Sequence, residues 1–123
     1  MKLEQVNSLV LAYLGDTIYE DYIRLYLISQ GINNVKDLQR ESVNYVSAKN
    51  QAKFLKMLID DNFFNEEELV IIKRARNHKG CSHPKNCDII TYKHATALEA
   101  LIGYLKLNNN ERRIEEIINK ILY

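Results

Sequence analysis

Leu9-Val10-Leu11-Ala12-Tyr13-Leu14-Gly15-Asp16-Thr17-Ile18-Tyr19-Glu20 sets an acid inside an apolar run. Seven of the eight residues from Leu9 to Asp16 are apolar or glycine, and the eighth is an acid. Apolar residues then recur at Ile18, Tyr19, Tyr22, Ile23, Leu25, Tyr26 and Leu27, which is helical spacing rather than strand alternation. A carboxylate in such a helix is costly to bury unless it is paired, hydrogen-bonded or bound to a cation. A second acid of this kind, Glu99, stands in Ala95-Thr96-Ala97-Leu98-Glu99-Ala100-Leu101-Ile102-Gly103-Tyr104-Leu105. Gly15 precedes the first acid and Gly103 follows the second, and small residues let helix backbones approach closely. Two readings follow: two helices crossing at glycines with each acid satisfied by a lysine, or Asp16 and Glu99 meeting to hold a divalent cation.

Outward from these helices the pattern stays helical, and the fold class is all-α. The first helix is predicted from about Gln5 to Gln30, stopped by Gly31. A short helix from Val35 to Arg40 comes next. Ser42 is placed as the cap of a second long helix through Ala48, Ala52, Leu55, Met57, Leu58 and Ile59, ending at Asp60-Asp61-Asn62. Asn65 ahead of Glu66, Glu67 and Glu68 is a capped N-terminus with acids facing the helix dipole, and that helix runs to about Asn77. Glycine, serine, proline and asparagine make a loop of Asn77 to Asp88. Two more helices follow, Asp88 to Leu107 and Glu111 to Leu122. In the last, Ile114, Ile117, Ile118 and Ile121 form one apolar face.

The 123 residues are read as one domain, 1–123, too short for a catalytic domain plus an appended binding domain. With 46% hydrophobic and 27% charged residues the chain is a soluble globular type rather than a disordered one. No apolar run approaches the ~20 residues of a membrane span. The acid-bearing N-terminus lacks a signal core. Two cysteines, Cys81 and Cys87, argue against a disulfide scaffold and for a reducing, cytoplasmic setting.

The net charge of +1 hides an uneven distribution. From Lys73 to Lys93 there are six basic residues and one acid, Asp88, so this segment carries +5 and the rest −4. Such a gathering points to a local anionic partner. Lys73, Arg74, Arg76 and Lys79 suit phosphates, and Lys85 and Asn86 suit the backbone or 2′-hydroxyls of an A-form duplex. The same loop contains His78-x-x-Cys81-x-His83-x-x-x-Cys87, but that spacing is not a familiar zinc motif, and no zinc is expected.

Leu14-Gly15-Asp16 followed by an apolar helix, with Glu99-Ala100-Leu101-Ile102-Gly103 downstream, resembles the ribonuclease III catalytic domain. More closely it resembles the Mini-ribonuclease III branch, which lacks a separate double-stranded-RNA-binding domain. The resemblance runs from about Leu9 to Leu107. It includes Val46-Ser47-Ala48-Lys49, Lys73-Arg74-Ala75-Arg76-Asn77, Pro84-Lys85-Asn86, Thr91-Tyr92 and Thr96-Ala97-Leu98-Glu99-Ala100-Leu101. It implies an all-α, homodimeric endoribonuclease that cuts double-stranded RNA, one strand per subunit, leaving 5′-phosphate and 3′-hydroxyl ends. It further implies a role on the ends of pre-23S ribosomal RNA. Asp16 and Glu99 would be the catalytic metal ligands for Mg²⁺, with Mn²⁺ as a substitute and Glu20 as possible support. Lys73, Arg74, Arg76, Asn77, Lys79, Lys85 and Asn86 would touch RNA. The wider family carries a glutamate four residues before the aspartate and an aspartate three before the glutamate. Here those positions are Ala12 and Thr96, as in the shorter branch. The apolar face near Leu11, Leu14, Ile18 and Tyr22 is the expected dimer interface. The rival readings are a non-catalytic RNA-binding or ribosome-assembly module and a helical interaction protein, neither of which needs the two acids.

Overall fold

The structure, a computed structural model, describes residues 2–78 and 88–123. A 3-10 turn, Leu3–Gln5, precedes six α-helices: α1 Ser8–Ser29, α2 Val35–Val46, α3 Ala48–Asp60, α4 Glu66–Arg76, α5 Ile89–Leu107 and α6 Glu111–Leu122. Among the described residues there is no strand, so the all-α expectation holds. No described helix is long and apolar enough to cross a membrane.

Local chemistry sets the boundaries. Asn7 takes the Leu9 N–H at 2.7 Å and starts α1, so the helix begins after the expected Gln5. Gly31, at φ +93°, follows its end as expected. The α2–α3 boundary differs from the sequence reading. Ser42 does not cap a helix: its hydroxyl donates to the Gln39 carbonyl inside α2, which continues to Val46. Ser47, with an extended backbone, accepts the Asn50 N–H and caps α3. Asn65 and Glu68 form a reciprocal capping box on α4. Asn62 and Asn109, at φ 54° and 56°, make the left-handed turns after α3 and α5.

α5 is the centre, buried at every position from Ala95 to Leu105 except Glu99. α1, α3, α4 and α6 all pack on it, and α2 packs on α1. α6 buries the four isoleucines read from its spacing, each contributing about 1.5–3 kcal/mol. It is locked to α4 by Arg113, which donates to both oxygens of the buried Glu68 at 2.7 and 2.8 Å and to the Phe63 carbonyl.

The α1–α5 contact is backbone against backbone. A Cβ on Gly15 would overlap the Glu99 carbonyl oxygen, and one on Gly103 would overlap the Leu11 carbonyl oxygen. As α1 advances from Leu11 to Gly15, α5 is met at Gly103 and then Glu99, so the helices run antiparallel at the crossing. Because the obstacles are carbonyls rather than flexible side chains, neither glycine tolerates a methyl group without parting the helices. Gly15→Ala and Gly103→Ala should each destabilise the protein by about 4 kcal/mol or more, in the exceptional range for single substitutions. Urea unfolding checks this, and a loss below about 1 kcal/mol would show that the helices slide apart freely.

Candidate active site

The glycine crossing places one acid of each helix side by side. Asp16 follows Gly15 directly, and Glu99 is the residue whose carbonyl Gly15 faces. Asp16 is exposed, while Glu99 is partly buried and lies within hydrogen-bonding reach of the Asp16 carboxylate. Both line a hollow shared with Leu9, Ala12, Tyr13, Tyr92 and Thr96. Ala12 and Thr96 are thus the walls where the wider family pattern would put two further acids. Burial pushes the Glu99 carboxyl up from its ordinary 4.5 to about 9, helped by the shared hydrogen bond with Asp16, the Asp16 charge and, more weakly, the Glu20 charge.

One group opposes that shift. Gln51 of α3 is 2% exposed, and its amide Nε2 donates to Glu99 Oε2 at 3.4 Å, favouring the ionised form. Sequence reading misses Gln51. The available signal is its place on the buried stripe of α3, where Gln51, Leu55 and Leu58 follow i, i+4, i+7. A glutamine on an apolar stripe needs a buried partner, and Glu99 is that partner. Tyr19, one turn after Gly15, is fully buried and donates to the Tyr45 carbonyl at 2.7 Å near the end of α2. That bond ties α1 to the last turn of α2, just ahead of the α3 helix that carries Gln51.

The other expected site residues are dispersed. Glu20 is close enough for its charge to act on Glu99, but its carboxylate also lies 3.9 Å from the Arg24 guanidinium. Lys73 is exposed, Arg76 is half-buried and Asn77 forms the C-cap of α4. Arg74 is half-buried, and its guanidinium donates to the carbonyls of Glu4 and Val6, pinning the segment ahead of α1. Lys79, Lys85, Asn86 and both cysteines lie outside the described residues. Among the described residues no three metal-ligating side chains converge, and the acids gather as a pair. Leu11, expected at a dimer face, is fully buried in the core, while Leu14, Ile18 and Tyr22 are partly buried.

The donor set fits a hard cation. Two carboxylates are brought together by the helix crossing, and Asp16 and Glu99 would hold such a cation through oxygen ligands of the kind it prefers.

The Ribonuclease III domain family matches residues 9–110, spanning both acids and the helices that carry them. A Mini-ribonuclease 3 of Enterococcus faecalis is 47% identical over 94% of this chain and 88% of the relative. A Mini-ribonuclease 3 of Brevibacillus brevis is 49% identical over 93% and 84%. A crystal structure of a Fusobacterium nucleatum protein superposes with a TM-score of 0.84, at 41% identity over 96% of this chain and 93% of that one. With paired acids at the helix crossing and matches of this extent, the chain belongs to the ribonuclease III family of endoribonucleases.

Proposed function

We propose that this endoribonuclease cleaves double-stranded RNA with a divalent cation, Mg²⁺ by preference and Mn²⁺ as a substitute, held by Asp16 and Glu99. The observation that carries this reading is the acid pair itself, set in a hollow where Asp16 is open to solvent. Two carboxylates repel a phosphodiester, so they serve RNA cleavage only when a cation stands between them and the substrate. Such a cation, when bound, makes water more acidic and offsets charge on the phosphate and leaving oxygen. The chain's own residues prepare for it. Gln51 holds the Glu99 carboxylate and favours its ionised form, while Gly15 and Gly103 fix the spacing of the two acids. The products expected are 5′-phosphate and 3′-hydroxyl ends. The substrate proposed from the branch resemblance is pre-23S ribosomal RNA.

A homodimer is part of the proposal, since one site per subunit reaches one strand each and a two-fold protein matches the pseudo-two-fold symmetry of a duplex. With Leu11 in the core, the face proposed for a second copy is the outer side of α1. There Val10 and Tyr13 are 55% and 82% exposed beside Leu14.

Three outcomes test the reading. Asp16→Asn and Glu99→Gln should each abolish Mg²⁺-dependent cleavage of a labelled duplex while retaining the helical spectrum, and near-wild-type cleavage by either would remove that residue from the site. Sedimentation at micromolar concentration should show a dimer, and a monomer making coordinated cuts in both strands would contradict the two-site arrangement. The third concerns pH in the metal-free protein. Between 4.5 and about 9 the folded state keeps the Glu99 proton and the unfolded state has lost it, so stability falls as pH rises. Asp16→Asn removes the neighbouring charge and narrows that window, although burial still holds part of the shift. The variant should therefore gain stability over wild type, more at about pH 8 than at about pH 5. An equal effect at both pH values would show that the carboxylates do not interact.

A further inference from the structure

The basic segment read from the sequence is not the only concentration of positive charge. Lys49, Lys53 and Lys56 stand on α3 at i, i+4, i+7, forming one exposed stripe. Across a groove from them are Arg76, at the end of α4, and His94 of α5. No ion pair joins Lys49, Lys53, Lys56 or Arg76 to a carboxylate among the described residues. Residues 79–87 contain no aspartate or glutamate to supply one. Like charges four residues apart, as at Lys49 and Lys53, destabilise a helix. Unpaired cations facing one groove are an electrostatic footprint for a polyanion.

Position says which polyanion. Ile90, Thr91 and His94 line this groove, whereas Tyr92, Thr96 and Glu99 line the hollow of the acid pair. The two are different faces of the same stretch of α5, separated by about one helix diameter, on the order of 10 Å. α3 also serves both, with Gln51 turned to Glu99 and the neighbouring Lys49 and Lys53 on the groove. We infer that the α3–α5 groove, through Lys49, Lys53, Lys56 and Arg76, is a phosphate-backbone binding track that holds duplex RNA beside the acid pair. This rests on the double-stranded-RNA reading above and adds to it a surface on α3 that lies outside the basic segment from Lys73 to Lys93. Binding of this type is insensitive to sequence, because phosphates position a duplex without identifying its bases.

The test is equilibrium binding of a fluorescent RNA duplex in EDTA across a salt series, comparing wild type, Lys53→Ala/Lys56→Ala and Lys2→Ala/Lys36→Ala. The last pair removes the same charge away from the groove. For each phosphate no longer neutralised, the slope of log K against log salt should shrink by about 0.7–0.9 and affinity near 0.1 M salt should fall about five- to tenfold. The Lys2/Lys36 variant should stay within about twofold of wild type. Equal losses in both doubles would mean that net charge alone is felt, and would overturn the groove. Wild-type affinity and slope in Lys53→Ala/Lys56→Ala would also overturn it, leaving the double-stranded-RNA reading intact. If wild type itself fails to bind the duplex in EDTA, the groove is overturned, while the cation-dependent cleavage reading is decided separately by the Asp16→Asn and Glu99→Gln assays in Mg²⁺.

Discussion

The structure depends on one close approach, the Gly15–Gly103 crossing of α1 and α5. The amide nitrogen of Gly15 would lie 3.2 Å from a Cβ on Gly103, so no side chain separates the two backbones there. An approach that close determines more than packing. It sets Asp16 and Glu99 against each other at the surface end of an otherwise apolar interface. Burial and like charge are ordinarily avoided for a carboxylate. Here the backbone geometry imposes both, and the stability lost at the acids is offset by the apolar surface buried along α5.

The remaining helices make that arrangement specific. α3 supplies Gln51 from inside the core, and Tyr19 ties α1 to the end of α2. Arg113 and Glu68 join α6 to α4, which closes the far side of α5. Arg74 fastens the segment before α1. Each of these groups bonds a specific partner on another part of the chain, Arg74 through its two terminal nitrogens while its buried Nε is left unpaired. Removing one partner of a buried ion pair typically costs about 3–5 kcal/mol, so these links also hold the helices in register.

Much of this is legible in the sequence, for physical reasons. Helical periodicity and helix breakers place six helices, and Asn65 and Gly31 mark two of their ends. The two acids stand out because each interrupts an apolar helix. The α2–α3 junction is harder, because Ser42 and Ser47 are both plausible caps and only backbone conformation tells them apart. Arg74 reads as a phosphate ligand because its neighbours are basic, whereas its partners are main-chain carbonyls that no pattern reveals. Gln51 and the α3 lysines escape a linear reading because their meaning is tertiary. Gln51 matters through Glu99, and the lysines matter through Arg76 and His94 across a groove.

In the proposed function the glycine crossing makes Asp16 and Glu99 a single cation site, with Glu99 holding its proton until a cation displaces it. Calorimetric titration of Mg²⁺ into the metal-free protein near neutral pH, in two buffers of different ionisation enthalpy, tests it directly. With Glu99 holding its proton up to about 9, binding should release a proton, approaching one per site, and the apparent heat should change with the buffer. Buffer-independent heat, or the same binding by Glu99→Gln, would contradict the claim.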